Sequence, residues 1–465
     1  MRLKNRLLAV AIVLAMTAAV IYGSTREMRQ EIEEAVQLTW TNWEDTLYFW
    51  YTDDTMTNYV NSAAVSFGER EGVHVIPVLV SGSEYLETLN RASLDNEQLP
   101  DAYIISHDNL EKAYLAGLAE EIRDVEEVCN SSHFPAAALN SIEYQGKKVA
   151  YPLSFQTSVL VYNETYLKEW ARQAARKELL GISKDGEAAE DIPEDAVVDE
   201  AELTAKAEEI FQRAVPDTLS DILLIADDFD APEGVEGIMK WDVSDIFYNY
   251  WIVGRYIDVG GEAGDRVDKI SVYNNQTVEC LKAYQALNQF FSIEADSIDY
   301  ESVVQDFLDG KIVFTIATSD IVARVEKARE EGTFTYDYGI AMMPAVSDTL
   351  ESRSMSVTNT VAINGYSKNK ELANKFAAYL VNECAGSFYE KTGKVSANLA
   401  SESDNGALQI FKQEYAESIP LPKMMATGNY WLLLERLFSK VWNGEDITVC
   451  VQELDSLISA QTKVP

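Results

Sequence analysis

The sequence predicts an α/β protein with two lobes, each a mostly parallel sheet flanked by helices. The chain has 465 residues, more than the roughly 250 to 300 at which one hydrophobic core usually stops growing. Hydrophobic residues make up 47% and charged residues 25%, as in soluble globular proteins. Short apolar runs alternate with segments of helical spacing, which is typical of a parallel sheet covered on both faces.

The first third of the chain predicts a β-α-β start. Residues 46–51 form a predicted strand, 58–68 a helix and 73–80 a second strand. Further predictions are a helix capped by Ser83 and running through Arg91, a strand over 102–106 and a helix over 109–116.

Two further strands, 147–151 and 158–162, flank Pro152, where we expect the chain to pass between the lobes. Residues 168–215 then become helical and very acidic, which predicts a solvated helical insertion. A calcium site is the alternative, but the EF-hand spacing with its central Gly is missing from this segment.

The last third predicts three strands, 311–317, 338–342 and 357–363, and helices over 370–382, 407–416 and 430–441. The sequence contains no internal repeat, no P-loop and no GxGxxG motif.

Charge and composition exclude several function classes. Lys and Arg number 38 against 76 Asp and Glu, a formal charge of −38, so we expect no nucleic acid partner. The four cysteines (Cys129, Cys280, Cys384 and Cys450) lack metal-ligand spacing, and the chain has three histidines. We therefore expect no metal, no cofactor and no enzymatic activity.

The N-terminus has the pattern of an export signal. Arg2, Lys4 and Arg6 precede an apolar run over 7–22. Residues 1–25 are predicted as a signal peptide or N-terminal membrane anchor. An uncleaved anchor is favoured because a cleavage site requires small residues at its −3 and −1 positions, and residues 20–24 (VIYGS) fit that pattern poorly. Residues 26–45 form a connector, and the rest is expected outside the cell, anchored or secreted.

Four stretches resemble the extracellular solute-binding proteins of ABC importers, family 1, specifically the maltose-binding-like carbohydrate group. They occur in the order of the family and run from about residue 46 to the end, with the acidic segment as the main interruption. The stretches are FWYTDDTMTNYVNSAAVSFGEREGVHV (49–75), LPDAYIISHDNLEKAYLAGLAEEI (99–122), YQGKKVAYPLSFQTSVLVYNETYL (144–167) and SVTNTVAINGYSKNKELANKFAAYLVNE (356–383).

This resemblance implies a periplasmic-binding-protein-like fold of type II, with the ligand cleft at the hinge. One lobe would comprise 46–154 and 358–408, and the other 155–357 and 409–465. The implied function is to bind a carbohydrate, most simply an oligosaccharide, to close by hinge bending, and to deliver the ligand to the importer's membrane subunits. We expect a monomer.

Sugar sites pair aromatic rings with carboxylates and amides, and the resemblance places candidates for both. Asp53 and Asp54 follow the first strand, with Asp54 the better match, although either side chain can also stabilise a turn. Asp108 matches a ligand-binding aspartate or caps a helix, and Asn109 replaces an arginine. Gln156 replaces a glutamate of the hinge crossing.

Other candidates lie later in the chain. Tyr248 and Trp251 occur in the block that supplies an aromatic platform in the family, although their spacing also fits core residues. Asp320 replaces a tryptophan of the maltose binder, which argues against maltose itself. Asn359 lies at the return crossing, and Trp431 matches a late tryptophan that stacks on sugar rings.

Two alternatives remain open at this stage. A polyamine, a polyol or a phosphorylated compound would occupy the same kind of cleft, and a polyamine would use Asp54 and Asp108. A surface sensor or interaction module would instead pass its closed state to a membrane partner, with the acidic segment as its contact.

Overall fold

The computed structural model describes residues 46–95, 99–124, 127–182, 198–291, 293–401 and 405–462. The predicted signal or anchor (1–25) and connector (26–45) therefore lie outside the described residues, as does the middle of the acidic segment. Among the residues described, no helix is both long and apolar enough to cross a membrane.

The larger of two main sheets has six strands in the order β14-β13-β3-β1-β2, with β6 also paired to β13. β1 is parallel to β2 and β3, while β13 is parallel to β14 and antiparallel to β3 and β6. The strands are β1 (Thr46–Tyr51), β2 (His74–Leu79), β3 (Ala102–Ser106), β6 (Tyr151–Thr157), β13 (Met355–Ile363) and β14 (Ile419–Pro420).

The smaller sheet has the order β12-β7-β11-β8. β7 is antiparallel to both β11 and β12, and β11 is parallel to β8. The α/β prediction is confirmed, but this sheet is mixed rather than mostly parallel because β7 enters directly from β6 and not through a helical crossover. Its strands are β7 (Val159–Asn163), β8 (Gly237–Met239), β11 (Ile312–Ala317) and β12 (Tyr338–Ala341).

Two short hairpins complete the strands. They pair β4 (Glu143–Tyr144) with β5 (Lys147–Lys148) and β9 (Asp258–Gly260) with β10 (Arg266–Ser271).

Fifteen α-helices occur in the part of the chain that the structure describes. They are α1 (Thr57–Glu71), α2 (Tyr85–Asp95), α3 (Leu110–Leu115), α4 (Ala136–Ser141), α5 (Glu164–Leu179), α6 (Glu200–Phe211), α7 (Leu219–Asp228), α8 (Asn275–Phe291), α9 (Tyr300–Leu308), α10 (Asp320–Glu330), α11 (Lys370–Val381), α12 (Phe388–Thr392), α13 (Gly406–Glu417), α14 (Tyr430–Trp442) and α15 (Ile447–Thr462).

Aromatic packing holds α1 and α11 on the larger sheet. The Phe376 ring meets Phe49 of β1 and Phe67 of α1 edge-on, at centroid distances of 5.3 and 5.2 Å. Helix α1 ends at Gly72, whose φ of 71° is accessible to glycine at little cost. The sheet and these helices form the first lobe.

Helices α5, α7, α8 and α9 contact the smaller sheet, and α14 and α15 pack against α8. Trp442 of α14 lies edge-on to Trp241 at 5.7 Å and against Tyr284 of α8 at 4.9 Å. All three rings are almost fully buried, so the C-terminal helices belong to the core of this second lobe.

The acidic segment is only partly the solvated insertion that the sequence predicts. Helix α5 buries Tyr166, Leu167, Ala171 and Ala175, so it is a packed helix of the second lobe. Helix α6 packs on α5 and buries only Leu203 among its residues. Helix α6 therefore fits the prediction of a solvated helix. Helix α5 does not, and its buried face is hard to recognise in the sequence because two of its buried residues are alanines.

The chain passes between the sheets at Ser158, which separates β6 from β7. The sequence predicts Pro152 between two strands, and this prediction is wrong. Pro152 lies within β6 opposite Thr360, next to an irregularity in the β6-β13 pairing. A proline is tolerated there because the ladder is locally interrupted. The residue boundaries predicted for the two lobes stay a prediction.

Candidate functional site

A cavity of 420 Å³ lies between the two lobes. The first lobe contributes residues of β6, β13 and the C-terminal end of α12 with the two residues after it. The second lobe contributes Tyr248 from a short 3-10 turn, the start of α9, and residues before and within α10. The lining residues are Ser154, Phe155, Gln156, Asn359, Thr392, Gly393 and Lys394 from the first lobe, and Tyr248, Tyr300, Glu301, Thr318, Ser319, Asp320 and Arg324 from the second.

Two further cavities extend this space along the first lobe. One of 120 Å³ shares Ser154, Asn359 and Lys394 with the interlobe cavity. The other, of 550 Å³, shares Thr52 and Asp53 with the 120 Å³ cavity. The three cavities thus adjoin one another in a cleft that runs from the space between the lobes to the carboxyl end of β1.

Six of the ten predicted site residues line this cleft. Gln156, Tyr248, Asp320 and Asn359 line the interlobe cavity, Asp53 lines both adjoining cavities, and Asp54 lines the outermost.

The structure does not bring the other four to these cavities. The Asp108 carboxylate accepts hydrogen bonds from the Ser106 hydroxyl and the Asn109 amide, which favours a local structural role for the Asp108-Asn109 pair. Trp251 is fully buried, and its Nε1 donates to the Tyr248 carbonyl at 3.1 Å. It therefore belongs to the core.

Trp431 lies in the second lobe at the start of α14, and it is half-buried. Its ring stacks on Phe247 at a centroid distance of 6.1 Å, and its Nε1 donates to Glu435 Oε1 at 2.7 Å. Phe247 in turn meets the Tyr248 ring edge-on at 5.6 Å. Trp431 thus contacts Phe247, which in turn contacts the cavity-lining residue Tyr248.

The wall of the second lobe is a bonded network around Tyr300. The Tyr300 ring stacks on Tyr248 with centroids 4.8 Å apart. Its hydroxyl donates to Asp320 Oδ1 at 2.7 Å and accepts from the Thr318 backbone N–H at 3.2 Å. Burial raises the pKa of both phenols, so they stay protonated and keep their hydrogen-bond donors.

Arg324 completes this wall through contacts with two carboxylates. Its Nε lies 2.8 Å from Asp320 Oδ2. Its Nη1 donates to Glu301 Oε2 at 2.7 Å and its Nη2 to Glu301 Oε1 at 2.5 Å. Bidentate pairing of this kind fixes the orientation of the guanidinium plane.

The wall of the first lobe carries one ion pair. Lys394 Nζ lies 2.9 Å from Asp53 Oδ2, and Asp53 Oδ1 accepts from the Thr55 N–H at 3.0 Å and its hydroxyl at 2.7 Å. Burial alone would raise the pKa of Asp53, but the Thr55 and Lys394 hydrogen bonds outweigh it and lower that pKa. The carboxylate is therefore ionised at neutral pH.

A family of bacterial extracellular solute-binding proteins matches residues 62–407 of this chain. The chain belongs to this family.

Solved structures of other solute-binding proteins share its fold. The extracellular solute-binding protein from Staphylococcus aureus in complex with maltose aligns at a TM-score of 0.69 and 17% identity, covering 90% of this chain and 98% of its own. A cyclo/maltodextrin-binding protein complexed with maltotetraose aligns at 0.68 and 16%, covering 90% and 97%. The maltose-binding periplasmic protein from Listeria monocytogenes in complex with maltose aligns at 0.68 and 19%, covering 91% and 99%.

No curated protein matches this solute-binding protein in a sequence search. The structural neighbours confirm the two-lobed fold that the resemblance implies.

Sequence reasoning missed three prominent groups of this cleft, namely Tyr300, Arg324 and Lys394. Tyr300 lies in α9 and Arg324 in α10, and nothing in the sequence of either helix indicates a cavity. Lys394 falls in the stretch YEKTGKVSAN, near the return crossing. Its partner Asp53 is far away in the chain, so the ion pair leaves no local sequence signal.

The cleft of this solute-binding protein offers hydroxyl, amide, carboxylate and cationic groups beside aromatic rings. Over the described ranges, no group of three or more His, Cys, Asp or Glu side chains is placed to hold a metal ion. The four cysteines are free thiols. These groups suit hydrogen bonding to a polar organic solute.

Proposed function

We propose that this protein binds a saccharide in the interlobe cavity. The observation that carries the proposal is the composition of that cavity. The stacked rings of Tyr248 and Tyr300 lie beside Gln156, Asn359 and Asp320, and a sugar presents an apolar ring face together with hydroxyl groups. The three structural neighbours support it, since each was solved with maltose or maltotetraose.

The two lobes close on the saccharide by hinge bending, and the closed form presents it to the membrane subunits of an ABC importer. The crossing at Ser158 links the two walls of the cavity directly, so a ligand that contacts both walls favours the closed state. We further propose that the protein acts as a monomer outside the cell, with residues 1–25 as its export signal or anchor.

A thermal-shift screen of the full chain tests the proposal. The panel comprises maltose, maltotetraose, cellobiose, lactose, sorbitol and spermidine. A ligand at 100 times its Kd stabilises the folded state by about 2.7 kcal/mol. We expect a shift with at least one saccharide. Spermidine is expected to fail because the carboxylates of the cavity, Glu301 and Asp320, are already paired with Arg324.

Gln156→Leu provides the matched variant, because the Gln156 side chain is exposed on the cavity wall. Gln452→Leu is the control, since Gln452 is exposed on α15 and lines none of the three cavities. The saccharide shift should shrink in Gln156→Leu alone. A shift with spermidine and none with any saccharide would reject the proposal in favour of a polyamine ligand.

A further inference from the structure

The Asp53-Lys394 ion pair lies at the two boundaries between the three cavities. Lys394 lines the 420 and 120 Å³ cavities, and Asp53 lines the 120 and 550 Å³ cavities. A ligand that extends from the interlobe cavity into its neighbours therefore comes close to this pair.

Both members of the pair are held in position before a ligand arrives. One oxygen of Asp53 is bonded to Thr55, which leaves Oδ2 for Lys394. Lys394 follows Gly393, which ends α12 with a φ of 68°, and its backbone N–H donates to the Thr392 hydroxyl at 3.1 Å. Such pre-organised polar groups lose less freedom on binding.

Stabilisation of the fold does not account for the pair. The side chains are 31% exposed for Lys394 and 40% exposed for Asp53, and partly exposed ion pairs contribute little to folding. The exposed surface of both side chains faces the cleft, where their remaining hydrogen-bonding capacity is available to a ligand.

The chemistry of the pair selects a ligand class. An ammonium group only donates hydrogen bonds and a carboxylate only accepts them. A hydroxyl does both, so one hydroxyl of a sugar can accept from Lys394 while its neighbour donates to Asp53. A ligand with a positive charge would meet the ammonium of Lys394, and a ligand with a negative charge would meet the carboxylate of Asp53.

We propose that Lys394 is a specificity-determining residue of the cleft and that, with Asp53, it recognises two adjacent free hydroxyls of an uncharged saccharide. This inference rests on the proposed function and deepens it. A site that hydrogen-bonds a hydroxyl rejects ligands that lack it, because its polar groups are then left unpaired.

Isothermal titration of the full chain with maltose, maltotetraose, cellobiose and lactose tests the inference. Lys394→Met keeps the length of the side chain but removes its charge. We expect its Kd for a saccharide that binds wild-type protein to rise about 10- to 150-fold, the loss expected for hydrogen bonds to a charged group. The melting temperature of the unliganded protein should change little, which separates ligand recognition from a structural role.

Lys375→Met is the control, because Lys375 pairs with Glu371 on the surface of α11 and lines none of the three cavities. Its affinity should match that of wild-type protein. Asp53→Asn is a second variant, and its effect should add incompletely to that of Lys394→Met because both groups contact the same pair of hydroxyls.

Three results would overturn the inference. If Lys394→Met binds a saccharide within about twofold of wild-type protein, Lys394 does not determine specificity, and the proposed function still stands. If Lys375→Met loses as much affinity as Lys394→Met, the loss reflects the change in net charge of the protein and not a contact of Lys394 with the saccharide. If no saccharide of the panel binds wild-type protein, the proposed function and this inference fail together.

Discussion

At the residue scale, the aromatic side chains of one short stretch have different roles. Tyr248 is 7% exposed, lines the interlobe cavity and stacks on Tyr300, whereas Trp251, three residues later, is fully buried and lines none of the three cavities. Trp431 lies half-buried on Phe247 at the edge of the same aromatic group. Position in the fold, and not residue type, separates the binding surface from the core.

Alanine substitutions at the two tryptophans should separate stability from binding. Trp251→Ala removes a fully buried indole, so we expect the free energy of unfolding to fall by roughly 3 to 5 kcal/mol. Trp431→Ala should cost only about 1 to 2 kcal/mol, because part of that side chain is already in water. Denaturant unfolding of both variants measures the difference, and equal losses would contradict this assignment.

Six of the ten residues predicted for the site line the cleft, but the sequence alone does not separate these six from the other four. Tyr248 and Trp251 have the same aromatic character, and a spacing of three residues places them near each other whether they are core or site. Asp53 and Asp108 each follow a predicted strand, yet only Asp53 has an ion-pair partner in the cleft. That partner, Lys394, depends on the tertiary fold.

At the element scale, hydrogen bonds hold the segment after β14 against the first lobe. Lys423 is buried, and its ammonium donates to the carbonyls of Asn140 at 3.0 Å and Glu143 at 2.6 Å. His107 Nε2 lies 2.9 Å from the Leu421 carbonyl, and its Nδ1 accepts from the Thr358 N–H at 3.0 Å. These bonds anchor the segment that leads to α14.

Stability should depend on pH through Lys423. Burial lowers the pKa of Lys423 to about 7, although Asp265, Glu143 and Glu111 raise it in part. Between pH 7 and the ordinary lysine range the unfolded chain holds a proton that the folded protein lacks, so stability rises as the pH increases. From pH 7 to 9 the gain should be about 2 kcal/mol.

Denaturant unfolding at pH 7, 8 and 9 measures this slope in wild-type protein and in Lys423→Met. The variant lacks the titrating group, so its unfolding free energy should rise less than that of wild-type protein over this range. Parallel pH profiles for the two proteins would show that Lys423 keeps an ordinary pKa.

Element positions follow the sequence closely where the hydrophobic pattern is strong. The predicted strands at 46–51 and 102–106 coincide with β1 and β3, and the helix at 430–441 differs from α14 by one residue. No element is predicted between 216 and 310, although Thr277, Cys280, Leu281 and Tyr284 recur at helical spacing in α8. Short strands such as β8, with three residues, carry too little pattern to be recognised.

At the scale of the whole molecule, two sheets share one cleft, and each lobe supplies one wall of it. The formal charge of the chain is −38, yet the interlobe cavity is lined by two carboxylates, Glu301 and Asp320, and two cations, Arg324 and Lys394. Arg324 pairs with both of these carboxylates, and Lys394 pairs with Asp53. A charge-balanced cavity in a strongly acidic protein suits an uncharged ligand.

The two-lobed architecture is predictable from chain length, alternation and resemblance. The mixed smaller sheet is not, because strand direction there depends on the direct passage from β6 to β7 and not on the residues of β7. The adjacency of the three cavities also emerges only in the folded chain, since the lining residues that they share, such as Thr52 and Asn359, lie in distant segments.

The central claim is that a saccharide binds between the lobes and contacts both walls. Hydrogen-exchange mass spectrometry of the full chain, with and without the saccharide that gives the largest thermal shift, tests this claim most directly. We predict slower exchange in 151–157 and 392–394 of the first lobe together with 318–324 of the second. Protection confined to one lobe, protection away from the cleft, or no saccharide-dependent change would contradict the account.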